Sequence, residues 1–348
     1  MTDTNASPAP ETTAAEVPAI RVHNLRRQFG NVLAVNGLSF EIPQGQVAGF
    51  VGANGAGKTT TMRILATLEY PTSGTAEVLG INVMDYPARV RSLLGWMPDS
   101  FGTYDNMTVL EYLDFFARAL GFKGEERKDR VAEVMRFTEL DRWQDRLINQ
   151  LSKGMGQRLC LGRALIHDPQ VLILDEPAAG LDPKARVELR HLIRILAQEG
   201  KTILISSHIL SELGEMCDTL IFINAGKVVH HGTADSLRLG NQETVSVSVS
   251  VDGDAAKLEE WAVLSPHVAF LQSTKTGGRI RIDDARPEVI AGVLRRMVLD
   301  GLAVTEFRRE ERNLEDAFIE MVGKLDREAA QAAAEEATAP GHRGGEQA

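Results

Sequence analysis

The octapeptide Gly52-Ala53-Asn54-Gly55-Ala56-Gly57-Lys58-Thr59 constrains this chain more than any other stretch. It fits the pattern G-x-x-x-x-G-K-[ST]. The apolar run Val47 to Val51 leads into it. Behind it, Met62, Ile64, Leu65 and Leu68 recur at helical spacing, which predicts a helix over 59–68. Strand, glycine-rich loop and helix follow in the order a phosphate cradle needs. Glycines let successive backbone N–H groups face one anion, and the helix N-terminus adds its partial positive charge. Lys58 is placed to bridge β- and γ-phosphates, and Thr59 to ligate Mg²⁺.

A second element lies downstream. The apolar run Val171 to Leu174 ends in two consecutive acids, Asp175 and Glu176. Beside a phosphate loop, Asp175 is expected to hold the Mg²⁺ shell with Thr59. Glu176 is expected to act as general base on the attacking water. His208 follows the strand-like run 202–206 and is the candidate to hydrogen-bond the γ-phosphate and hold that water.

Buried apolar strands at 47–51, 171–175, 202–206 and 219–223, with helices expected at 183–198 and 209–216, argue for an α/β domain with a mostly parallel sheet. A helical block at 107–138, broken at Gly121–Gly124, interrupts that alternation and reads as part of a subdomain over about 100–166. A second unit begins near Leu237. Its run 244–251 alternates valine and serine strictly, a half-buried strand that could offer an edge for pairing. Helices are expected at 254–263 and 287–297. Strands 268–273 and 278–283 are expected to turn at Lys275 to Gly278, with a further strand at 303–310. Asn313 and Asp316 resemble a capping box for a final helix. The order β-α-β-β-α-β is that of a small ferredoxin-like α+β domain. The expected organisation is a tail at 1–19, a nucleotide-binding domain at 20–236, an accessory domain at 237–325 and a tail at 326–348.

Charge and composition narrow the function. Asp and Glu outnumber Lys and Arg by 48 to 38, for a net charge of -10, so nucleic acid is not an expected partner. Residues 1–19 carry Asp3, Glu11 and Glu16 and no Lys or Arg, unlike a secretory signal. No run of about 18 apolar residues suggests that the chain spans a membrane. Cys160 and Cys217 are too few for a disulfide framework and are expected to be small buried hydrophobes.

These pieces, with one more, resemble the nucleotide-binding subunits of ABC (ATP-binding cassette) proteins. The additional piece is Leu151-Ser152-Lys153-Gly154-Met155-Gly156-Gln157-Arg158, similar to the family's signature loop, before a helix and before the strand that bears Asp175. The resemblance covers about residues 20–235; residues 237–323 resemble the accessory domain of bacterial exporter subunits of drug, antibiotic, lipid or polysaccharide type. It implies a P-loop ABC ATPase fold with a helical subdomain, and a dimer, a homodimer in the simplest case, closing head-to-tail around two ATP molecules with Mg²⁺. Gly52 to Thr60 (Gly52, Ala53, Asn54, Gly55, Ala56, Gly57, Lys58, Thr59 and Thr60) would bind the phosphates of one ATP. Ser152 and Gly154 of the other subunit would cap its γ-phosphate. Gly180-Leu181-Asp182 would be the loop linking the two sites, and Phe29 the aromatic stacked on adenine. The resemblance also implies a separate integral membrane permease and a peripheral place on the cytoplasmic side of the inner membrane. Other readings of the same motifs are a soluble cassette ATPase acting on nucleic acid or ribosomes, and an ATP-binding regulatory protein with little turnover.

Two departures stand out. Asp99 occupies the position where the family places a metal-linked Gln, so it is expected to take over that contact with Mg²⁺. Lys153 and Met155 replace Gly and Gln in the signature loop.

Overall fold

Residues Val47–Val51, Val171–Leu174 and Thr202–Ser206 are buried at every position. Such strands need cover on both faces, which a parallel sheet between helices provides. The computed structural model describes residues 17–100, Gly102, Tyr104, and residues 106–207, 209–239 and 244–310, together with Leu314 and Phe318. It divides into two compact units between Gly232 and Thr233.

The first unit opens with β1 (Ile20–Phe29), β2 (Val32–Ile42) and β3 (Val47–Val51), then α1 (Lys58–Leu65), β4 (Ser73–Val78), β5 (Ile81–Asn82), α2 (Pro87–Leu93) and β6 (Leu94–Met97). The helical block follows as α3 (Val109–Ala119), α4 (Gly124–Phe137) and α5 (Lys153–Leu165). The chain returns through β7 (Val171–Leu174), α6 (Pro183–Gln198), β8 (Thr202–Ser206), α7 (Leu210–Met216), β9 (Thr219–Asn224) and β10 (Lys227–Gly232). Six strands form one sheet in the order β10-β9-β3-β8-β7-β6, parallel except for the β9–β10 hairpin. A separate antiparallel sheet has the order β2-β1-β4-β5.

One core joins the two sheets. It contains Ile20, Leu25, Leu38 and Ile42 of the antiparallel sheet, Phe50, Ile173 and Leu204 of the parallel sheet, and Met62, Ile64 and Leu65 of α1. The helix behind the glycine loop is therefore clamped by apolar burial worth about 1.5–3 kcal/mol per large side chain. That clamp fixes the loop at its N-terminus. In the helical block, α3 starts in a capping box: Glu111 N donates to Thr108 Oγ1 at 3.2 Å, and Thr108 N donates to Glu111 Oε2 at 2.8 Å.

The second unit runs α8 (Ala234–Leu239), β11 (Val245–Val251), α9 (Ala256–Leu264), β12 (Val268–Thr274), β13 (Gly277–Ile282), α10 (Pro287–Leu299) and β14 (Val304–Arg309). Its antiparallel sheet has the order β12-β13-β11-β14. Val245, Val247, Val249 and Val251 face a core with Leu258, Ile280, Ile282 and Met297.

Two sequence expectations are corrected here. β11 pairs with β13 on one side and β14 on the other, so it is a central strand and offers no edge. Its alternation reports one buried face, a property that edge and central strands share. The hairpin turn is shorter than expected. Gly277 and Gly278 belong to β13, where they pair with β11 and β12; glycine fits there because a side chain at Gly277 would overlap the Val249 carbonyl and one at Gly278 would lie 2.7 Å from the Phe270 ring. The capping box at Asn313 and Asp316 lies outside the described residues. Among the described residues, no helix is long and apolar enough to cross a membrane.

Candidate nucleotide-binding and active site

The site is built where β3, β6, β7 and β8 end. Gly57 has φ 103°, a left-handed conformation suited to glycine, and caps α1 with no side-chain hydrogen bond. The first N–H groups of α1 therefore keep their donors for a ligand. A Cβ on Gly57 would lie 2.5 Å from Ala34 O, so β2 packs directly against the loop. Ala53, Asn54, Gly55 and Thr59 are exposed, whereas Lys58 is only 6% exposed. Lys58 Nζ donates to Gly52 O at 2.7 Å and Ala53 O at 3.2 Å. Burial pushes its ammonium below the usual lysine range, against the opposing pull of Glu176 and Asp175. The lysine is thus curled over its own loop within the field of both acids.

Asp175 continues β7 and is 1% exposed. Its amide donates to Met97 O at 2.8 Å, which ties the ends of β6 and β7 together. Ser206, the last residue of β8, donates from Oγ to Asp175 Oδ1 at 2.7 Å, and the same oxygen accepts from Glu176 N at 2.8 Å. Burial raises the Asp175 carboxyl above its ordinary range. Hydrogen bonds from Ser206 and Thr59 oppose that rise, while the charges of Glu176 and Asp99 add to it. A desolvated carboxylate, a threonine hydroxyl and further acid charge form a hard-oxygen set that suits a divalent cation such as Mg²⁺. Glu176 has φ 49°, so its backbone holds a left-handed turn immediately after the strand.

Lys58, Thr59, Asp175, Glu176 and Asp99 are thereby brought together. Asp99 is exposed at the end of β6, close enough for its charge to act on Asp175. Phe29 ends β1 and pairs with Val32, two residues before the strand segment that packs on Gly57. Its ring is 43% exposed. Thr60 is half-buried in the first turn of α1.

Ser152, Gly154 and Asp182 belong to a different group. They line a cleft of about 440 Å³ with Arg142, Trp143, Arg158 and Lys184. Ser152 caps α5 by accepting from Met155 N at 3.3 Å, and Asp182 caps α6 by accepting from Ala185 N at 2.9 Å. Arg158 reaches Glu139 at 2.6 Å and Glu188 at 2.7 Å, which fixes α5 against α6. His208 lies outside the described residues. Ser206 had no role in the sequence reading. Its role follows from register, which only the folded sheet supplies: Leu174 pairs with Ile205, and the next residues are Asp175 and Ser206.

The chain matches the ABC transporter family over residues 35–179. It is 34% identical to the bacitracin transport ATP-binding protein BcrA of Enterococcus faecalis over 305 residues, 87% of this chain and 96% of that protein. The chain belongs to the ATP-binding subunits of ABC transporters, and it is an ABC ATPase. It is also 33% identical to the Nod factor export ATP-binding protein I of Burkholderia orbicola over 308 residues, 88% of this chain and 98% of that protein. Among solved structures it is similar to the ATP-binding cassette MJ0796, a dimer in a post-hydrolysis state bound to ADP and Pi. That similarity has a TM-score of 0.57 at 25% identity, over 62% of this chain and 98% of the other. ATP binding and the P-loop ABC fold follow for this cassette.

Proposed function

We propose that the chain powers a separate integral membrane permease of exporter type, docked on the cytoplasmic side of the inner membrane. The observation that carries the catalytic part is the convergence of Lys58, Thr59, Asp175 and Glu176 at the strand ends, with Ser206 joining Asp175 to Glu176. Gly52 to Thr60 bind the ATP phosphates through backbone N–H groups and the Lys58 ammonium. Glu176 takes the proton of the attacking water as that water adds to the γ-phosphorus and ADP leaves. Thr59, Asp175 and Asp99 would hold Mg²⁺, which supplies charge neutralisation at the β- and γ-phosphates when bound. His208 is proposed to orient the water.

Ser152 and Gly154 cap the γ-phosphate bound by a second copy of the chain, in a homodimer. Their cleft, separate from the phosphate loop, supports a role in trans. Asp182, whose carboxylate is engaged as the α6 cap, acts by shaping the loop between the two sites. The expected boundary at 236/237 falls inside α8, so the nucleotide-binding domain is assigned to residues 20–232 and a ferredoxin-like accessory domain to the unit that begins at Thr233. Support for the latter is the element order of β11 to β14 with α9 and α10, and the strand order β12-β13-β11-β14.

Similarity to a bacitracin transport protein and a Nod factor export protein along nearly their whole lengths supports the exporter reading. The test is capture of tagged Glu176→Gln protein, with ATP, from detergent-solubilised membranes. A polytopic membrane protein recovered in near-equal amount is the expected result. Recovery of ribosomal or DNA-repair proteins alone would replace the transporter with a nucleic-acid machine.

A further inference from the structure

The Arg27 guanidinium lies over the Phe29 ring, 4.2 Å from its centroid. It is not a free surface cation. Arg27 Nη2 donates to Glu69 Oε1 at 2.8 Å, and the two side chains are only 22% and 20% exposed. The Arg27 Nε atom is itself buried without a hydrogen-bond acceptor. A buried N–H with no partner is unfavourable, and it persists here because stacking on Phe29 and the Glu69 pair together fix the guanidinium.

Glu69 belongs to the segment that leaves α1. That segment is stitched to the end of β1 by two more contacts: Thr72 N donates to Arg26 O at 2.7 Å, and Gln28 N donates to Thr72 Oγ1 at 3.0 Å. The phosphate loop, α1, Glu69, Arg27 and Phe29 therefore form one continuous mechanical chain. One face of the Phe29 ring is covered by the guanidinium, and the ring remains 43% exposed.

We infer that Arg27 is a positioning residue for nucleotide binding, holding the Phe29 ring so that its open face receives the adenine base, with Glu69 anchoring Arg27 to the segment that leaves the phosphate-binding helix. The inference rests on the proposed role of Phe29 as the adenine platform. An exposed ring without this support would have to be immobilised by the base at each binding event, a cost that corresponds to roughly two- to tenfold in affinity. A planar guanidinium can stack on the ring and bond Glu69 at the same time, whereas a lysine ammonium offers only a point charge.

The test compares ADP with inorganic pyrophosphate, which has no base, in equilibrium binding to the full-length chain, together with kcat and KM for ATP. Arg27→Ala is expected to weaken ADP roughly two- to tenfold, leave pyrophosphate unchanged, and raise KM with little change in kcat. Glu69→Gln should follow in the same direction, and Arg27→Lys should recover only part of the loss. Equal weakening of ADP and pyrophosphate would make Arg27 a plain folding residue and overturn the inference. Tighter ADP binding in Arg27→Ala would also overturn it, because the guanidinium would then be occupying the place of the base. Phe29→Ala separates the two levels. If it weakens ADP while Arg27→Ala does not, the inference fails and the platform stands; if Phe29→Ala leaves ADP unchanged, the platform itself fails.

Discussion

Ser206 and Asp175 are joined by a 2.7 Å hydrogen bond, and the same serine oxygen accepts the amide of Glu176 at 2.8 Å. One fully buried hydroxyl thus sets both the metal-side carboxylate and the backbone that carries the proposed base. The second bond also steadies a residue whose φ of 49° is unfavourable for a non-glycine. Ser206→Ala is expected to lower folding stability by about 1.5–3 kcal/mol, the range for a hydrogen bond to a charged group. It should reduce kcat on the order of ten- to a hundredfold, because the Asp175 carboxylate and the Glu176 backbone lose their shared anchor. Denaturant melts and steady-state ATPase assays check it. Wild-type values in both would make the hydroxyl a bystander.

Glu176→Gln keeps the size of the side chain and removes its ability to take a proton. ATP hydrolysis should fall by about 10²-fold or more, the usual scale for losing a general base. ATP binding should survive, because the phosphate loop and Lys58 are untouched. With ATP bound and uncleaved, sedimentation should find the dimer. Turnover near the wild-type rate would remove Glu176 from the role.

Asp99 adds its charge to the crowding around Asp175. Asp99→Ala removes that repulsion and also removes one oxygen donor. If Asp99 holds Mg²⁺, the Mg²⁺ concentration needed for half-maximal ATPase should rise by about tenfold, and stimulation by the permease should weaken. Unchanged Mg²⁺ dependence and intact stimulation would leave Asp99 as a turn residue.

The legibility of this chain follows from how local each requirement is. The phosphate loop could be read directly, because one short backbone shape needs glycine, lysine and threonine in fixed places. The helices 109–119 and 124–137 and the fully buried strands 171–174 and 202–206 were legible through periodicity and apolar runs. β4 was not, because Ser73-Gly74-Thr75-Ala76-Glu77-Val78 has a strand's two buried positions and little else. Ser206 was silent for a related reason: a serine at a strand end acquires meaning only from its neighbour in the sheet. The central place of β11 also depends on pairing with strands far along the chain. Asp182 and Ser152 show the reverse case. Their positions in the motifs were evident, but their engagement as helix caps became evident only with the backbone in place.

Lys153 and Gly180 meet between the signature loop and the loop before α6. A side chain at Gly180, where φ is 66°, would overlap Lys153 Nζ. Gly180→Ala is therefore expected to destabilise the fold by about 1 kcal/mol through left-handed backbone strain, with a small further cost because Lys153 Nζ, the far end of a flexible side chain, can move aside. Lys153→Gly in the same chain should relieve only the second part. A double-mutant cycle should give a small coupling of about 0.5 kcal/mol. A coupling of zero would mean that the two loops are energetically independent.

His167 gives the fold a pH dependence of defined sign. Its Nε2 donates to Leu94 O at 3.1 Å, while Nδ1 is buried without a partner. Burial lowers its pKa; Leu94 O and Asp168 pull it up, and Arg130 and Lys201 push it further down. Arg130 and Lys201 are held there by the Leu165, Ile166 and Pro169 carbonyls, so a second proton on His167 would face nearby cations. Because the folded protein binds this proton less readily than the unfolded chain, stability from this group is complete above the ordinary histidine value of 6.5 and declines as pH falls below it. Thermal melts at pH 7.5 and pH 5.5 should differ more for the wild type than for His167→Gln, which retains a donor for Leu94 O and has no proton to gain. Identical pH shifts in the two proteins would assign the acid sensitivity to other groups.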